Sequence, residues 1–315
     1  APVIEASRAA KVKSAGFLER EASASISANS DGMFFYQPFT NIDFSVTART
    51  ETDRGSGWAS RQATALAGVD LASVGERAIE KALASRRAEA AKPGRHVVVL
   101  EPPAVRDLVS SLVFSLGRRS VDEGRSFLTG IGGPDALGEA VFGERATVSS
   151  DPSDARAPGR LADWSGLPAG KETWLESGVL RQLHCGRYWA KRQGLEVQAH
   201  PTNLLVAGDG LSATDLIADI EHGFLVTRLW YIRMVQPQTL LLTGLTRDGT
   251  FRVENGEIAG PVKNFRFNES PVNVLKNLAA SGVPERVLGS EGAMPMLAPP
   301  MLIDGFNFSS VSDAS

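Results

Sequence analysis

The sequence predicts an α+β fold, in a chain that is rich in antiparallel sheet and divides into two domains. Apolar and polar residues alternate with period two in many short runs, and turn residues separate these runs, as in hairpins. Few helical segments fall between two strands, so the pattern does not favour a parallel sheet. The chain can bury a sizeable core, since it has 315 residues and 43% hydrophobic content. Lys92-Pro93-Gly94 predicts the domain junction, between residues 1–92 and 93–315.

The first domain is expected to begin with a helix and to continue as a series of strands. Its elements are a helix at 5–14, a strand at 17–27, a turn at 29–32, strands at 34–36 and 42–50, a flexible link at Gly55-Ser56-Gly57 and a helix at 73–90. The last helix is the best supported, because its apolar residues fall near one face.

The second domain opens on a strand, 96–100, whose continuous apolar run HVVVL predicts burial on both faces. A helix at 212–222 is expected to begin at a Ser212 cap and to stop at Gly223. The other elements are a helix at 104–116, a strand at 146–149, a hairpin at 174–183, an extended segment at 204–207, a strand at 224–235, a helix at 270–279 and a loop at 292–300.

The segment 247–267, RDGTFRVENGEIAGPVKNFRF, predicts a hairpin most strongly. Polar residues at 250, 252 and 254 alternate with Phe251 and Val253, which is the pattern of a half-buried strand. Asn255-Gly256 then supplies the two residues that adopt positive φ most readily. A second strand at 257–259 ends at Gly260-Pro261.

Composition excludes several classes of function. The formal net charge is −3 and the pI is about 5.9, so there is no one-sided basic surface for nucleic acid. No apolar run approaches the roughly 18 residues that span a bilayer, and residues 1–16 contain no signal-peptide core. The single cysteine, Cys185, fits a reducing cytoplasm. Because the first residue is Ala, we expect the native chain to begin earlier.

The histidines do not predict a metal site. A metallopeptidase helix needs two His one turn apart, but no two of His96, His184, His200 and His222 lie within five residues of each other. His96 is expected in a core or edge strand and His222 at a helix C-terminus. His184 and Cys185 are adjacent on a predicted strand, so their side chains should point to opposite faces. Cys185 is interpreted as a core residue.

Other catalytic signatures fail as well. The segment 166–171, GLPAGK, is one residue short of a phosphate-binding loop, and Glu172 stands where Ser or Thr should bind magnesium. Asp122-Glu123 is interpreted as a pair of solvated loop charges. The residues alone therefore predict no catalytic residue and no metal ligand.

Seven segments, in this order and spacing, nevertheless resemble the TldD/PmbA family of metallopeptidase-related proteins. They are ANSDG at 28–32, IEKALAS at 79–85, HVVVLEPPAV at 96–105, WLESGVL at 174–180, PTN at 201–203, DLIADIEHGFLVT at 215–227 and VENGEIAGPVKNFRF at 253–267. The resemblance implies the family's middle and C-terminal domains, and we expect the N-terminal domain to be absent from this stretch of chain.

The resemblance also implies which branch the chain is similar to. In zinc-bearing members the helix after the VVVL-like strand carries H-E-x-x-x-H, and a C-terminal cysteine completes the site. Here residues 104–116 contain no His and residues 290–305 contain no Cys. The chain therefore resembles the zinc-free PmbA/TldE-like branch, whose members are the non-catalytic partners of a zinc-bearing TldD-like subunit, and no zinc is expected in this chain.

The implied function is handling of unfolded peptides, such as microcin precursors and antitoxins, by a cytoplasmic dimer with the zinc-bearing subunit or with a second copy. Aromatic segments at 34–36 and 229–231 are the candidate interface. His200, Thr202 and Asn203 are the candidate peptide-binding residues, with the peptide added as a strand. Two alternatives stay open: a peptidase with an unrecognised site, and a gyrase-modulating binding protein.

Overall fold

The structure, a computed structural model, describes residues 2–30, 32–290, 292 and 294–312. The α-helices are α1 (Pro2–Ala9), α2 (Leu71–Ala84), α3 (Pro102–Phe114), α4 (Arg118–Asp122), α5 (Arg187–Gln193), α6 (Ala213–Ala218) and α7 (Pro271–Lys276). The strands are β1 (Val12–Ala28), β2 (Phe34–Thr50), β3 (Ser56–Ala63), β4 (Gly94–Leu100), β5 (Val148–Ser150), β6 (Glu172–Glu176), β7 (Val179–Leu180), β8 (Leu204–Val206), β9 (His222–Gln236), β10 (Leu241–Glu254), β11 (Glu257–Pro261), β12 (Phe265–Glu269), β13 (Leu278–Ser281), β14 (Glu285–Arg286), β15 (Met296–Ala298) and β16 (Met301–Val311). The mixture of mainly antiparallel sheets with few helices confirms the predicted α+β class.

The first part of the chain is an antiparallel sheet, β1-β2-β3, covered on one face by α1 and α2. Helix α2 begins at Asp70, whose side chain accepts hydrogen bonds from the backbone N–H groups of Ala72 and Ser73. Its apolar face, with Ala78 at the centre, packs on Val46 and its neighbours in β2. Only the half of the long β1–β2 hairpin next to the helices is covered by them, so many side chains of the distal half are exposed to solvent.

Three expectations for this part are wrong. The first helix ends at Ala9, and the chain turns at Lys11, which has a φ of 53°, into β1. The strands expected at 34–36 and 42–50 form one strand, because β1 pairs with β2 along its whole length. Pro38 is tolerated in it, since β3 pairs only with residues 42–49 and leaves Pro38 on an open edge. The expected link at Gly55-Ser56-Gly57 leads directly into β3. Its glycines are required because a Cβ on Gly57 would overlap the carbonyl of Ala78 in α2.

The second sheet runs β11-β10-β12-β16-β4-β9, with β13 paired to β16. Strand β9 also pairs with β10, so β10, β12, β16, β4 and β9 close into a ring, and β11 is attached to β10 outside it. Strand β4 lies between β16 and β9, and Val98, Val99 and Leu100 are all buried, as the apolar run predicts. The predicted hairpin is confirmed: β10 pairs with β11, and the turn residues Asn255 and Gly256 have φ of 50° and 78°.

The third sheet runs β14-β15-β8-β5-β6-β7, and α3 packs between it and the ring through contacts with β15 and β9. Helix α3 contributes Val105, Leu108, Val109 and Leu112 to the largest core cluster. This packing places the C-terminal end of α3 beside the loops that carry residues 160–170 and 200–203.

Three boundaries in this part also differ from expectation. Helix α6 ends at Ala218, and His222 begins β9, because the backbone of residues 220 and 221 pairs with the Asn255-Gly256 turn. Helix α7 stops at Lys276 before β13, and the expected loop 292–300 contains β15. Asp31, in the expected turn 29–32, lies outside the described residues. Among the residues described, no helix is long and apolar enough to cross a membrane.

Candidate functional site

The candidate peptide-binding segment is a loop that holds a second loop in place. Asn203 is fully buried, and its side-chain amide donates to the carbonyls of Asp151 and Ala157 at 2.6 and 2.7 Å and accepts from the N–H of Asp151 at 3.0 Å. The hydroxyl of Thr202 donates to the carbonyl of Arg160 at 2.7 Å. The Asn203 amide therefore faces the protein interior and cannot contact a peptide in this conformation.

His200 instead belongs to an aromatic stack at the surface. Its ring lies between those of Trp164 and His184, with centroid distances of 3.9 and 3.6 Å, and Phe114 at the end of α3 lies 6.4 Å away. Trp164 is 69% exposed and Phe114 is 40% exposed, so the outer side of the stack is open to solvent. Nδ1 of His200 is buried and has no hydrogen-bond partner in the structure.

Burial disfavours the charged form of both imidazoles in the stack. Burial, together with the charge that His184 would carry, lowers the pKa of His200 to about 4. Burial likewise lowers the pKa of His184, against a hydrogen bond to the carbonyl of Phe114. Asp163 opposes both shifts only weakly, although its carboxylate accepts the backbone N–H of His200 at 3.0 Å. The pair escapes sequence reasoning, because its members lie on segments that only the fold brings together.

A second constellation joins α3 to the loop after β14. The guanidinium of Arg106 donates to the carbonyls of Gly292 and Met294 at 3.1 and 2.6 Å, and the carboxylate of Asp107 accepts the N–H of Ser290 at 2.8 Å. Both side chains are almost fully buried, and burial lowers the pKa of Arg106. We call this pair of side chains the Arg106–Asp107 clamp. In the sequence, the clamp is visible as two adjacent opposite charges within a largely apolar helix. Such charges need hydrogen-bond or ionic partners when the helix is buried.

The remaining candidate ligands lie apart. His96 is within hydrogen-bond distance of the carbonyl of Lys92 at 2.9 Å and packs edge-on against Phe224. His222 is exposed at the start of β9. Cys185 is buried beside Trp189, and burial raises the pKa of its thiol. Within residues 2–30, 32–290, 292 and 294–312, no three His, Cys, Asp or Glu side chains are grouped to hold a metal ion.

Both candidate interface segments expose aromatic side chains. Phe34 and Tyr36, on the distal half of the first hairpin, are 67% and 57% exposed. Trp230 and Tyr231, where β9 extends beyond the core, are 38% and 59% exposed. Met234 and Val235 continue that exposed apolar surface along β9.

Known proteins share this architecture over nearly the whole chain. The structure of TldE from Thermococcus kodakarensis matches with a TM-score of 0.82 at 18% identity, covering 98% of this chain and 72% of that one. A proposed modulator of DNA gyrase from Bacteroides thetaiotaomicron matches with a TM-score of 0.81 at 21% identity, over 98% of this chain and 71% of that one. A proposed modulator of a DNA gyrase from Thermotoga maritima matches with a TM-score of 0.78 at 19% identity, over 90% and 66%. At these identities the matches show the fold.

Sequence comparison identifies the family. A protein of Methanothermobacter thermautotrophicus named metalloprotease is 26% identical over 230 residues, which are 68% of this chain and 48% of that protein. The chain thus spans about half the length of that relative. The PmbA/TldA metallopeptidase central domain matches residues 2–86, and the C-terminal domain of the same family matches residues 93–310. The chain therefore belongs to the TldD/PmbA family.

Proposed function

We propose that this protein is the metal-free, non-catalytic subunit of a cytoplasmic peptidase complex that acts on unfolded peptides. The observation that carries the proposal is the Arg106–Asp107 clamp between α3 and the segment 290–294. As the resemblance implies, zinc-bearing members use this helix and a C-terminal cysteine to bind the metal. In this chain the same two elements are joined by charged hydrogen bonds.

The residues present do not fit a zinc ion at this junction. Zinc is bound by imidazole, thiolate and carboxylate groups, and α3 offers only one of these, the carboxylate of Asp107, beside a guanidinium and hydroxyl groups. That carboxylate accepts the backbone N–H of Ser290. The guanidinium of Arg106 is buried, and a buried positive charge raises the free energy of a dication placed near it. The hydrogen bonds of Arg106 and Asp107 already join helix and loop, which supports a junction that needs no metal.

The proposed peptide site is the segment His200–Asn203, where the ring of His200 and its neighbour Trp164 make the contact with peptide. The exposed face of Trp164 and the adjacent ring of His200 offer apolar surface for a side chain of an extended peptide. Thr202 and Asn203 stabilise this surface indirectly, because their side chains donate hydrogen bonds to backbone carbonyls of the 151–160 loop. Recognition through stacking and backbone hydrogen bonds tolerates many sequences, which suits a partner that handles unfolded chains.

The exposed aromatic segments supply the proposed dimer interface. Phe34, Tyr36, Trp230 and Tyr231 are not buried within the chain, and large aromatic side chains are enriched at the centres of protein interfaces. The partner is a zinc-bearing relative or a second copy of this chain.

The test combines metal content with reconstitution. Elemental analysis of the purified protein should find no stoichiometric zinc or iron, and an unstructured peptide should be cleaved only after a relative with H-E-x-x-x-H is added. About one tightly held metal per chain, lost on changing His184 or His200, or cleavage by this chain alone, would make it a peptidase in its own right and overturn the proposal.

The interface is tested separately with a matched pair of variants. Tyr231→Ser should weaken association in light scattering, whereas Tyr188→Ser, which changes an equally exposed tyrosine on α5, should not. A monomer at micromolar concentration, both alone and with the relative, would contradict the dimer. Equal effects of the two variants would remove β9 from the interface.

A further inference from the structure

A cavity of about 340 Å³ lies where the two halves of the chain meet, and four arginines line it. Arg61 on β3 and Arg77 on α2 come from the first half, and Arg156 and Arg286 from the second. The carboxylate of Asp70, which caps α2, is the single acidic side chain among the described lining residues. The first turn of α2 also borders the cavity, so the positive end of the helix dipole adds to the arginine charges.

Among the described residues, two carboxylates form direct ion pairs with these four arginines. Arg61 and Arg77 share one oxygen of Glu285, at 3.1 and 3.6 Å. Arg156 pairs with Asp154 at 2.6 Å. The guanidinium charges at this cavity therefore exceed the carboxylates that directly contact them.

Arg286 is the most unusual of the four. It is only 7% exposed, and its guanidinium donates to the side-chain oxygens of Gln62 and Asn41, both at 3.0 Å. These partners are neutral amides. The carboxylate of Asp43 accepts hydrogen bonds from the same two amides, which therefore link it to Arg286. Within the described part of the chain, Arg286 forms no ion pair. A buried guanidinium in that position is costly, and an anion in the adjacent cavity would offset that cost.

We infer that this cavity binds a compact oxyanion with two negative charges, either a phosphate group or a small dicarboxylate. The planar fork of each guanidinium matches carboxylate and phosphate oxygens, and arginines from four different segments line this one small cavity. The bound anion would join β3 and α2 to the 151–160 loop and β14, so it would stabilise the junction between the two halves. This site is separate from the proposed peptide-binding stack and does not depend on the proposed function.

The test uses the full chain and three probes at equal ionic strength: inorganic phosphate, succinate and acetate. Isothermal titration should detect binding of phosphate or succinate but not of the monoanion acetate. The dianion that binds should also raise the thermal unfolding midpoint of the protein. Phosphate without succinate would assign a tetrahedral anion, and succinate without phosphate a dicarboxylate. Equal responses to all three probes, or no heat with any of them, would overturn the inference.

Variants locate the site. The double variant Arg61→Gln, Arg77→Gln should lower the affinity for the dianion about tenfold or more, because each substitution removes a charge-assisted hydrogen bond. Arg181→Gln is the control, since this arginine pairs with Glu176 on the surface, away from the cavity lining. The thermal midpoints without anion show that the variants fold. Unchanged affinity in the double variant would place the binding elsewhere and refute the site.

Discussion

The imidazole rings of His184 and His200 stack with their centroids 3.6 Å apart, on segments that are separate in the chain. Two charged imidazoles at this distance would repel each other, so the stack requires that at least one ring be neutral. The same contact covers one face of His200, while Trp164 covers the other. The stack therefore couples the arrangement of the 160–170 loop to the protonation of His200.

Acid should destabilise the protein through this stack. The pKa of His200 is about 4 in the folded protein and near its ordinary 6.5 when unfolded, so the unfolded chain binds the extra proton between these values. Stability is therefore present above about pH 6.5 and is lost as the pH falls toward 4. Urea unfolding from pH 7 to 4 should show a shallower decline in His200→Gln than in the wild type. His222→Gln, at an exposed position, should keep the wild-type slope; a wild-type slope in His200→Gln would contradict the prediction.

Asn203→Ala should destabilise the protein by about 2–4 kcal/mol, because it leaves backbone groups of Asp151 and Ala157 without their hydrogen-bond partner. Thr202→Val loses one hydrogen bond nearer the surface and should cost about 1 kcal/mol. Chemical denaturation measures both. Loss of peptide capture by Asn203→Ala at an unchanged thermal midpoint would mean that the residue contacts peptide directly.

Gly289→Ala should destabilise the Arg106–Asp107 clamp. A Cβ on residue 289 would overlap the carboxylate of Asp107, so that carboxylate must move away from the N–H of Ser290. Overpacking of this kind costs about 1–3 kcal/mol. Gly130→Ala is the control, because a Cβ there meets no atom within 4 Å and the residue does not have a positive φ. Equal stabilities of the two variants would show that the clamp adjusts freely.

Lys81→Met should weaken the junction between the two halves of the chain. Lys81 on α2 forms an ion pair with Glu101 at the start of α3, and each side chain is only 14% exposed. Removing the lysine leaves a largely buried carboxylate alone, at a cost of about 2–4 kcal/mol. Lys81→Met combined with Glu101→Gln should recover part of the loss in denaturant unfolding. No recovery in the double variant would mean that Lys81 acts through packing of its aliphatic chain.

The sequence by itself determined the features whose cause is local. Asn255 and Gly256 adopt the positive φ that the hairpin turn requires, and β10 and β11 pair around them. The apolar run of β4 is buried in the ring, since a strand with no polar face is stable only between two neighbours. The family segments could be recognised because each is a continuous stretch of sequence, although several span more than one element, as residues 215–227 span α6 and β9.

Only the tertiary structure decided the features that depend on distant partners. The sequence around Gly55 and Gly57 predicts a flexible link, but in the structure α2 packs closely on both glycines. The sequence also predicts a helix end at His222, but the two residues before it pair with the turn at Asn255-Gly256. The His184–His200 stack, the Arg106–Asp107 clamp and the arginine cavity each bring together side chains from separate elements. Local propensity carries no information about such pairs, because their energies arise from burial and from charges that meet only after the chain has folded.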